Sequence, residues 1–103
     1  MKVLWTEHAA ACLVEIEYYI ALDDPVAAQR WVEQLIQRTR VLADNPHAGR
    51  KLPEMPKGPL RELIEGNYRM VYRVTVETVE ILTVFERHRL LRDDDVQLPA
   101  KRG

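Results

Sequence analysis

The sequence predicts an α+β fold: an N-terminal strand, an αα-hairpin and then a three-stranded antiparallel meander, with the helices packed on one face of the sheet. Two observations support this prediction. Apolar residues recur every three or four positions between residues 9 and 42, and every second position from residue 60 onwards. A segment rich in proline and glycine separates the two parts. The change in period therefore marks the passage from helices to sheet.

The first part of the chain has the signals of a strand followed by two helices. The apolar segment at residues 2–5 predicts a strand, and Thr6 is a favourable N-cap for a helix after it. Asp24 can cap a second helix, because Pro25 then occupies its first position, where no backbone N–H is needed. The apolar stripes of the two helices are Ala9, Leu13, Ile16 and Ile20, and then Ala28, Val32, Leu35, Thr39 and Leu42.

The second part of the chain has the signals of a loop followed by three strands. Residues 44–59 hold four of the 6 prolines and two of the 4 glycines, which predicts a loop. Strands are predicted over residues 60–64, 68–74 and 79–85. Side chains alternate between the faces of a strand. The helix-facing residues should therefore be Tyr68, Met70, Tyr72 and Val74, and the opposite face should carry Arg69, Val71 and Arg73.

Composition limits the classes of function. The chain of 103 residues suits a single domain, expected over residues 1–95, with residues 96–103 as a disordered tail. The 15 basic and 16 acidic residues give a net charge of -1, which argues against a general DNA-coating role. We also expect that this chain alone does not bind DNA sequence-specifically. The apolar runs are too short for a membrane span. A single cysteine, Cys12, indicates a cytoplasmic protein without disulfides and is expected to be a small buried apolar residue.

The candidate functional residues are basic. The sequence contains no nucleotide-binding, metal-binding or hydrolase motif, so we expect neither a metal nor a cofactor. We expect His8 and His47 to be solvated side chains. Arginine side chains suit phosphate or carboxylate recognition, although pairing with neighbouring glutamates on an ordinary sheet surface remains an alternative. General acid–base catalysis needs two tuned groups, so we assign no catalytic residue. The candidates are Arg61, Arg69, Arg73, Arg87, His88 and Arg89.

The order of these features resembles the ParE branch of the ParE/RelE toxin superfamily, from Val3 to about Arg92. Toxins of this superfamily belong to bacterial type II toxin–antitoxin systems, and a cognate antitoxin neutralises each of them. The resemblance is carried by Trp5-Thr6-Glu7, Asp24-Pro25, Asn45-Pro46 with Gly49-Arg50, Leu60-Arg61-Glu62-Leu63, the strand from Tyr68 to Arg73, and Arg87-His88-Arg89.

The resemblance implies one of two activities. RelE-like members are ribosome-dependent mRNA endoribonucleases, and Arg69 and Arg87 match two of their arginines. Their lysine positions, however, fall near Leu60 and Glu62 here, and their tyrosine position falls near Asp93. ParE-like members are non-enzymatic inhibitors that trap DNA gyrase on cleaved DNA and block replication. The better match is the ParE branch, with the six basic residues as gyrase contacts and the RelE-like nuclease as the alternative.

The resemblance also implies a ParD-like antitoxin as partner. Such an antitoxin is expected to lie across the helical hairpin and the edge of the first strand. Trp31 lies beside the apolar stripe of its helix and should be partly exposed. The candidate antitoxin contacts are Val3, Trp5, Trp31 and Leu35.

Overall fold

A computed structural model describes residues 1–96 and confirms the α+β fold, with a helical hairpin on one face of a five-stranded sheet. The elements are β1 (Lys2–Trp5), α1 (Glu7–Ala21), α2 (Pro25–Thr39), a 3-10 turn (Arg40–Ala43), β2 (Arg50–Lys51), β3 (Leu60–Glu65), β4 (Tyr68–Val74), β5 (Thr78–Glu86) and a second 3-10 turn (Asp93–Asp95). The strand order in the sheet is β1-β5-β4-β3-β2; β1 runs parallel to β5, and the other neighbours are antiparallel. No helix in the described range is long and apolar enough to cross a membrane.

The helix boundaries follow the predicted capping signals. The Thr6 hydroxyl accepts a hydrogen bond from the backbone N–H of Ala9 at 3.1 Å and donates one to the carbonyl of Ile81 at 2.8 Å. It therefore starts α1 and also fixes that helix to β5. The Asp24 carboxylate accepts from the N–H groups of Val26 and Ala27, both at 3.1 Å, and so starts α2.

The main hydrophobic core lies between the helices and the sheet. The predicted stripes of α1 and α2 supply its helical side, and Met70 and Tyr72 supply part of its sheet side, as their alternation predicts. Leu35, expected as an antitoxin contact, is 0% exposed and therefore offers no surface to a partner in this fold. The buried residues of this core are Ala9, Leu13, Leu35, Leu42, Leu63, Met70, Tyr72, Val79, Ile81 and Val84.

A second apolar cluster covers the opposite face of the sheet, where the sequence predicts arginines on a solvated surface. The segment after β2 and the segment after β5 fold over this face, because Leu52, Leu91 and Val96 pack onto it. Val96, expected in the disordered tail, thus belongs to the folded domain, whereas residues 97–103 lie outside the described residues. The buried residues of the second cluster are Leu52, Leu60, Val71, Leu82 and Phe85.

The predicted loop at residues 44–59 contains one short strand. Arg50 of β2 pairs with Glu62 of β3, and Lys51 pairs with Arg61. A two-residue strand has no period of its own, so only its partner strand reveals it. The three later strands and their turns agree with the prediction.

The turn between β3 and β4 supports Trp31 of α2. Gly66 has a positive φ of 56°, a conformation that side chains rarely adopt, and a Cβ at this position would lie 2.3 Å from the Trp31 ring. Trp31 also meets the Tyr68 ring edge-on, with 5.9 Å between the ring centroids. Trp31 is therefore half-buried, in agreement with the prediction, and it joins the helical hairpin to this turn.

We predict that Gly66→Ala lowers the free energy of unfolding by about 2 kcal/mol, because alanine must adopt a strained φ and displace Trp31. Urea unfolding followed by tryptophan fluorescence measures this loss. The control is Gly58→Ala, which needs no positive φ and whose new Cβ would lie 3.3 Å from the Cβ and the carbonyl oxygen of Met55; a shift of a few tenths of an ångström relieves this contact, so the loss should be less than half as large. Equal losses in the two variants would contradict this explanation.

Candidate functional site

Arg69 of β4 lies at the centre of an ion-pair network on the second face of the sheet. It is only 4% exposed. Its two terminal nitrogens donate to the two carboxylate oxygens of Glu54, at 2.8 and 2.7 Å. Its Nε donates to Glu62 of β3 at 2.6 Å. The guanidinium group is therefore shared between two carboxyl groups from different segments.

The same network holds the two segments that cover this face. Arg50 of β2 donates from Nε to the second oxygen of Glu62 at 2.8 Å, and one of its terminal nitrogens forms an ion pair with the same oxygen at 2.7 Å. Glu54 also accepts the backbone N–H of Leu91 at 2.8 Å, and Arg69 donates to the carbonyl of Arg89 at 3.0 Å. Side chains of β4 and the loop thus position the segment after β5.

Arg89 reinforces this attachment of the C-terminal segment. Its guanidinium group lies 4.8 Å from the centre of the Phe85 ring, and that of Arg69 lies 4.9 Å from the same centre. Both distances suit a cation–π contact. Arg89 also pairs with Asp95 at 2.7 Å, and Asp95 accepts the N–H of Arg92.

The titration behaviour of these groups limits their chemistry. Hydrogen bonding to Arg69 lowers the pKa of Glu54 to about 2, although burial opposes the change. Glu54 therefore stays ionised at neutral pH and cannot act as a general acid. Burial raises the pKa of Tyr72, whose hydroxyl donates to the carbonyl of Pro46 and accepts the N–H of Gly49, each at 2.8 Å. Tyr72 thus stays protonated and acts as a core residue.

Exposed basic side chains line two sides of a groove above this network of ion pairs. The groove has a volume of about 450 Å³ and lies between β2 and the start of the C-terminal segment. Arg50, with 60% of its side chain exposed, stands on one side, and exposed Arg87 and His88 stand on the other. Leu90, 70% exposed, adds an apolar side chain at the rim. We call Arg50, Arg87, His88 and Leu90 the basic rim.

The six predicted basic residues do not form one surface. Arg61 lies opposite Tyr72 in the β3–β4 register and so shares the helix-facing side, where it donates to the carbonyl of Gly49 at 2.8 Å. Arg73 pairs with Glu80 across β4 and β5. Arg69 and Arg89 are held by the network described above. Of the six predicted residues, only Arg87 and His88 have exposed side chains at the groove. The expectation that the arginines gather on one face of the sheet is therefore wrong.

The positions that RelE-like nucleases fill with lysine carry no free cation here. Leu60 is 0% exposed in the second cluster, and Glu62 is 1% exposed and bound to two arginines. Glutamate pairing, the alternative interpretation of the arginines, is thus confirmed for Arg69 and Arg73. For Arg69 the pair is buried rather than solvated.

The remaining candidates are dispersed. Val3 and Trp5 are half-buried on β1, an edge strand, and pack against the main core. Cys12 is half-buried rather than fully buried, with Sγ at 3.6 Å from both Nε2 of His8 and the hydroxyl of Thr83. His8 and His47 are exposed, as predicted. Among residues 1–96, no three histidine, cysteine or acidic side chains cluster as metal ligands would.

Two features of the site are not apparent from the sequence pattern. Arg50 and Glu54 lie in the loop, and only the fold brings them to Glu62 and Arg69. Four exposed apolar residues of the helical hairpin, away from this network, are also not predicted. They are Val14 and Tyr18 of α1, Leu22 directly after it and Val26 of α2, each more than 60% exposed.

Comparison with known proteins accounts for this architecture. The family described as "ParE toxin of type II toxin-antitoxin system, parDE" matches residues 3–91. The chain belongs to this ParE toxin family. A relative named "Putative toxin Y4kP", from Sinorhizobium fredii, is 39% identical over 90 residues, which cover 85% of this chain and 90% of the relative. A solved structure, "Chromosomal ParDE TA system from P. aeruginosa", superposes on this ParE-family chain with a TM-score of 0.70 at 25% identity, covering 84% of this chain and 95% of the other.

We predict that Glu54→Gln lowers stability at neutral pH and makes it less dependent on pH. The pKa of Glu54 falls from 4.5 when unfolded to about 2 when folded, so its contribution is complete above pH 4.5 and is lost as the pH falls towards 2. We expect a loss of about 2 kcal/mol at pH 7, after allowance for partial exposure, shrinking by more than half at pH 3. Urea titrations at both pH values measure it.

Glu77→Gln is the control for this experiment, because it removes the same charge from an exposed turn. It should change stability by less than about 0.5 kcal/mol at either pH. A Glu54→Gln deficit that is equal at pH 7 and pH 3 would show that the ionised pair with Arg69 is not its source.

Proposed function

We propose that this chain inhibits DNA gyrase, trapping the enzyme on cleaved DNA and blocking replication, and that a ParD-like antitoxin neutralises it. Membership of the ParE family supports the proposal. The observation that carries it is the engagement of Arg69: the arginine that matches an RNA-cleaving group of RelE-like nucleases is 4% exposed and paired with Glu54 and Glu62. Four of its five N–H donors are engaged by Glu54, Glu62 and the carbonyl of Arg89, which leaves little capacity for an RNA phosphate.

The proposed inhibitor acts by binding rather than by catalysis. RNA cleavage requires a proton donor, a proton acceptor and cations at the phosphate. Here buried Leu60 and Glu62 stand where the nuclease pattern has lysines, and the low pKa of Glu54 removes it as an acid. These features favour a binding role for the second face of the sheet.

The basic rim is the proposed gyrase contact. Arg87 and His88 are the predicted contacts that stay exposed, and Arg50 adds a cation across the groove. The exposed guanidinium group of Arg87 can bind a carboxylate or phosphate group without breaking a buried pair, whereas Arg50 also holds buried Glu62 and offers only its remaining N–H donors. Leu90 supplies apolar area beside them. The rim thus combines the charge and apolar surface that a protein interface uses.

The proposed antitoxin contacts lie on β1 and on the helical hairpin. Val3 and Trp5 are at the free edge of β1, and half-buried Trp31 is next to the β3–β4 turn. Exposed Val14, Tyr18, Leu22 and Val26 add apolar area to the hairpin. Exposed apolar side chains of this kind support a surface that a partner covers.

We predict that the purified chain inhibits gyrase supercoiling and increases the amount of cleaved DNA. The variant Arg87→Ala/His88→Ala should need at least ten times more protein for half-inhibition, because it removes two exposed basic side chains from the groove. The control Arg30→Ala removes an exposed arginine of α2 and should inhibit like the wild type. Supercoiling and cleavage assays with titrated toxin measure all three.

The proposal fails if excess wild-type chain leaves supercoiling and cleavage unchanged. Primer extension on translating ribosomes provides the second measurement. Toxin-dependent cuts in mRNA would assign the RelE-like nuclease activity instead, whereas intact mRNA together with gyrase inhibition would support a ParE-like inhibitor.

A further inference from the structure

The two exposed basic residues at the end of β5 lie in a tight turn. The N–H of Arg89 donates to the carbonyl of Glu86 at 3.0 Å, which closes a β-turn directly after β5. Arg87 and His88 are the two central residues of this turn, and both are exposed. The N–H of Arg87 donates to the carbonyl of Asn67 at 2.8 Å and fixes the start of the turn. We call the segment from Glu86 to Arg89 the rim turn.

The end of the rim turn is fixed by Arg89. Its backbone carbonyl accepts a hydrogen bond from Arg69 of β4 at 3.0 Å. Its guanidinium group lies 4.8 Å from the centre of the Phe85 ring of β5. The same guanidinium group donates to Asp95, in the second 3-10 turn, at 2.7 Å. Arg89 thus connects the rim turn to three other parts of the chain.

Asp95 is the carboxylate on which the guanidinium group of Arg89 depends. Within residues 1–96, Arg89 forms an ion pair with no other acidic residue, and its Nη1 is buried without a hydrogen-bond acceptor. The second carboxylate oxygen of Asp95 accepts the N–H of Arg92 at 2.7 Å. Burial opposes ionisation, but the hydrogen bonds from Arg89 and Arg92 lower the pKa of Asp95 below its usual value. Asp95 is therefore ionised at neutral pH and holds Arg89 as an ion pair.

The Arg89–Asp95 pair does not line the groove of the basic rim. Arg87 and His88 line that groove, whereas Arg89 and Asp95 line a separate cavity of about 340 Å³ between α1 and β5. The side chain of Arg89 is 28% exposed, and that of Asp95 is 9% exposed. A partner bound in the groove would therefore contact Arg87 and His88 and not the ion pair.

We propose that Arg89 and Asp95 are positioning residues for the basic rim: their ion pair fixes the rim turn so that Arg87 and His88 face the groove, and neither residue of the pair contacts gyrase. This inference rests on the proposed function, which makes the rim the gyrase contact. It changes the role of Arg89, which the sequence predicts as a gyrase contact, and it gives a role to Asp95, which the sequence does not single out.

Breaking the pair should allow the rim turn to adopt several conformations, because its end would lose the attachment to the second 3-10 turn. Gyrase binding would then have to order the turn again, and this loss of conformational entropy weakens the complex. The effect therefore appears in the activity of the rim, although the substituted residue lies outside it.

The first test compares variants of Asp95 in the gyrase supercoiling assay. Asp95→Asn leaves one acceptor oxygen for two donors and should raise the concentration for half-inhibition at least about fivefold. Asp95→Glu keeps the charge and both acceptors and should inhibit within about twofold of the wild type. The matched control is Asp94→Asn, which removes the same charge from an exposed neighbour and should inhibit like the wild type.

The second test distinguishes positioning from direct contact. Arg89→Gln should also weaken inhibition at least about fivefold, and the double variant Arg89→Gln/Asp95→Asn should lie within about twofold of Arg89→Gln alone, because the two residues act as one pair. If the effects of the two substitutions multiply instead, Arg89 contacts gyrase by itself, and the positioning role is overturned.

The third test measures the rim turn directly in the free chain. In Asp95→Asn the N–H of Arg89, which closes the turn, should exchange with deuterium at least about tenfold faster than in the wild type. The N–H of Ala28, which bonds to Asp24 at the start of α2, should exchange within about twofold of the wild-type rate. Equal acceleration at both positions would show a loss of stability of the whole fold and would overturn the positioning role.

The outcomes separate this inference from the proposed function. A wild-type chain that leaves gyrase unaffected overturns both. A wild-type chain that inhibits gyrase, together with an Asp95→Asn variant that inhibits equally well, overturns the positioning role alone. Inhibition that is weakened by Asp95→Asn and restored by Asp95→Glu, with faster exchange confined to the rim turn, supports it.

Discussion

The guanidinium group of Arg69 imposes the main constraint on the second face of the sheet. A charge buried to 4% exposure is costly unless other groups compensate it. Glu62 from β3 and Glu54 from the loop supply that compensation, and Glu54 also binds the backbone of Leu91. The loop after β2 and the segment after β5 are therefore fixed by one cation. Apolar packing of Leu52, Leu91 and Val96 completes the cover of this face.

Arg69 therefore contributes to the stability of the fold and not to a binding surface. A guanidinium that holds four parts of the chain together cannot also bind a substrate without releasing them. The exposed basic side chains Arg87 and His88 lie at the end of β5, and Arg50 on β2 keeps 60% of its side chain exposed beside its pair with Glu62. A ParE-family chain built in this way can thus keep an arginine that matches the nuclease pattern and use it for stability.

The sequence predicts what depends on near neighbours. Thr6 and Asp24-Pro25 mark the helix starts, because capping is decided within three residues, and alternation assigns Met70 and Tyr72 to the main core. The sequence does not predict β2. It also does not predict the pairs Glu54–Arg69 and Arg50–Glu62, because these partners are 12 to 15 positions apart and meet only when the loop folds back. The second cluster is missed for the same reason: the segments that cover Val71 come from distant parts of the chain.

A net charge of -1 conceals two surfaces of opposite sign that meet at the end of β5. Glu86 lines a groove beside Glu15 and Tyr68, and the next two residues, Arg87 and His88, belong to the basic rim. The N–H of Arg87 donates to the carbonyl of Asn67 at 2.8 Å, so the end of β5 is fixed to the β3–β4 turn at the point where the sign of the side chains changes. The net charge of the whole chain therefore does not describe the charge of either surface.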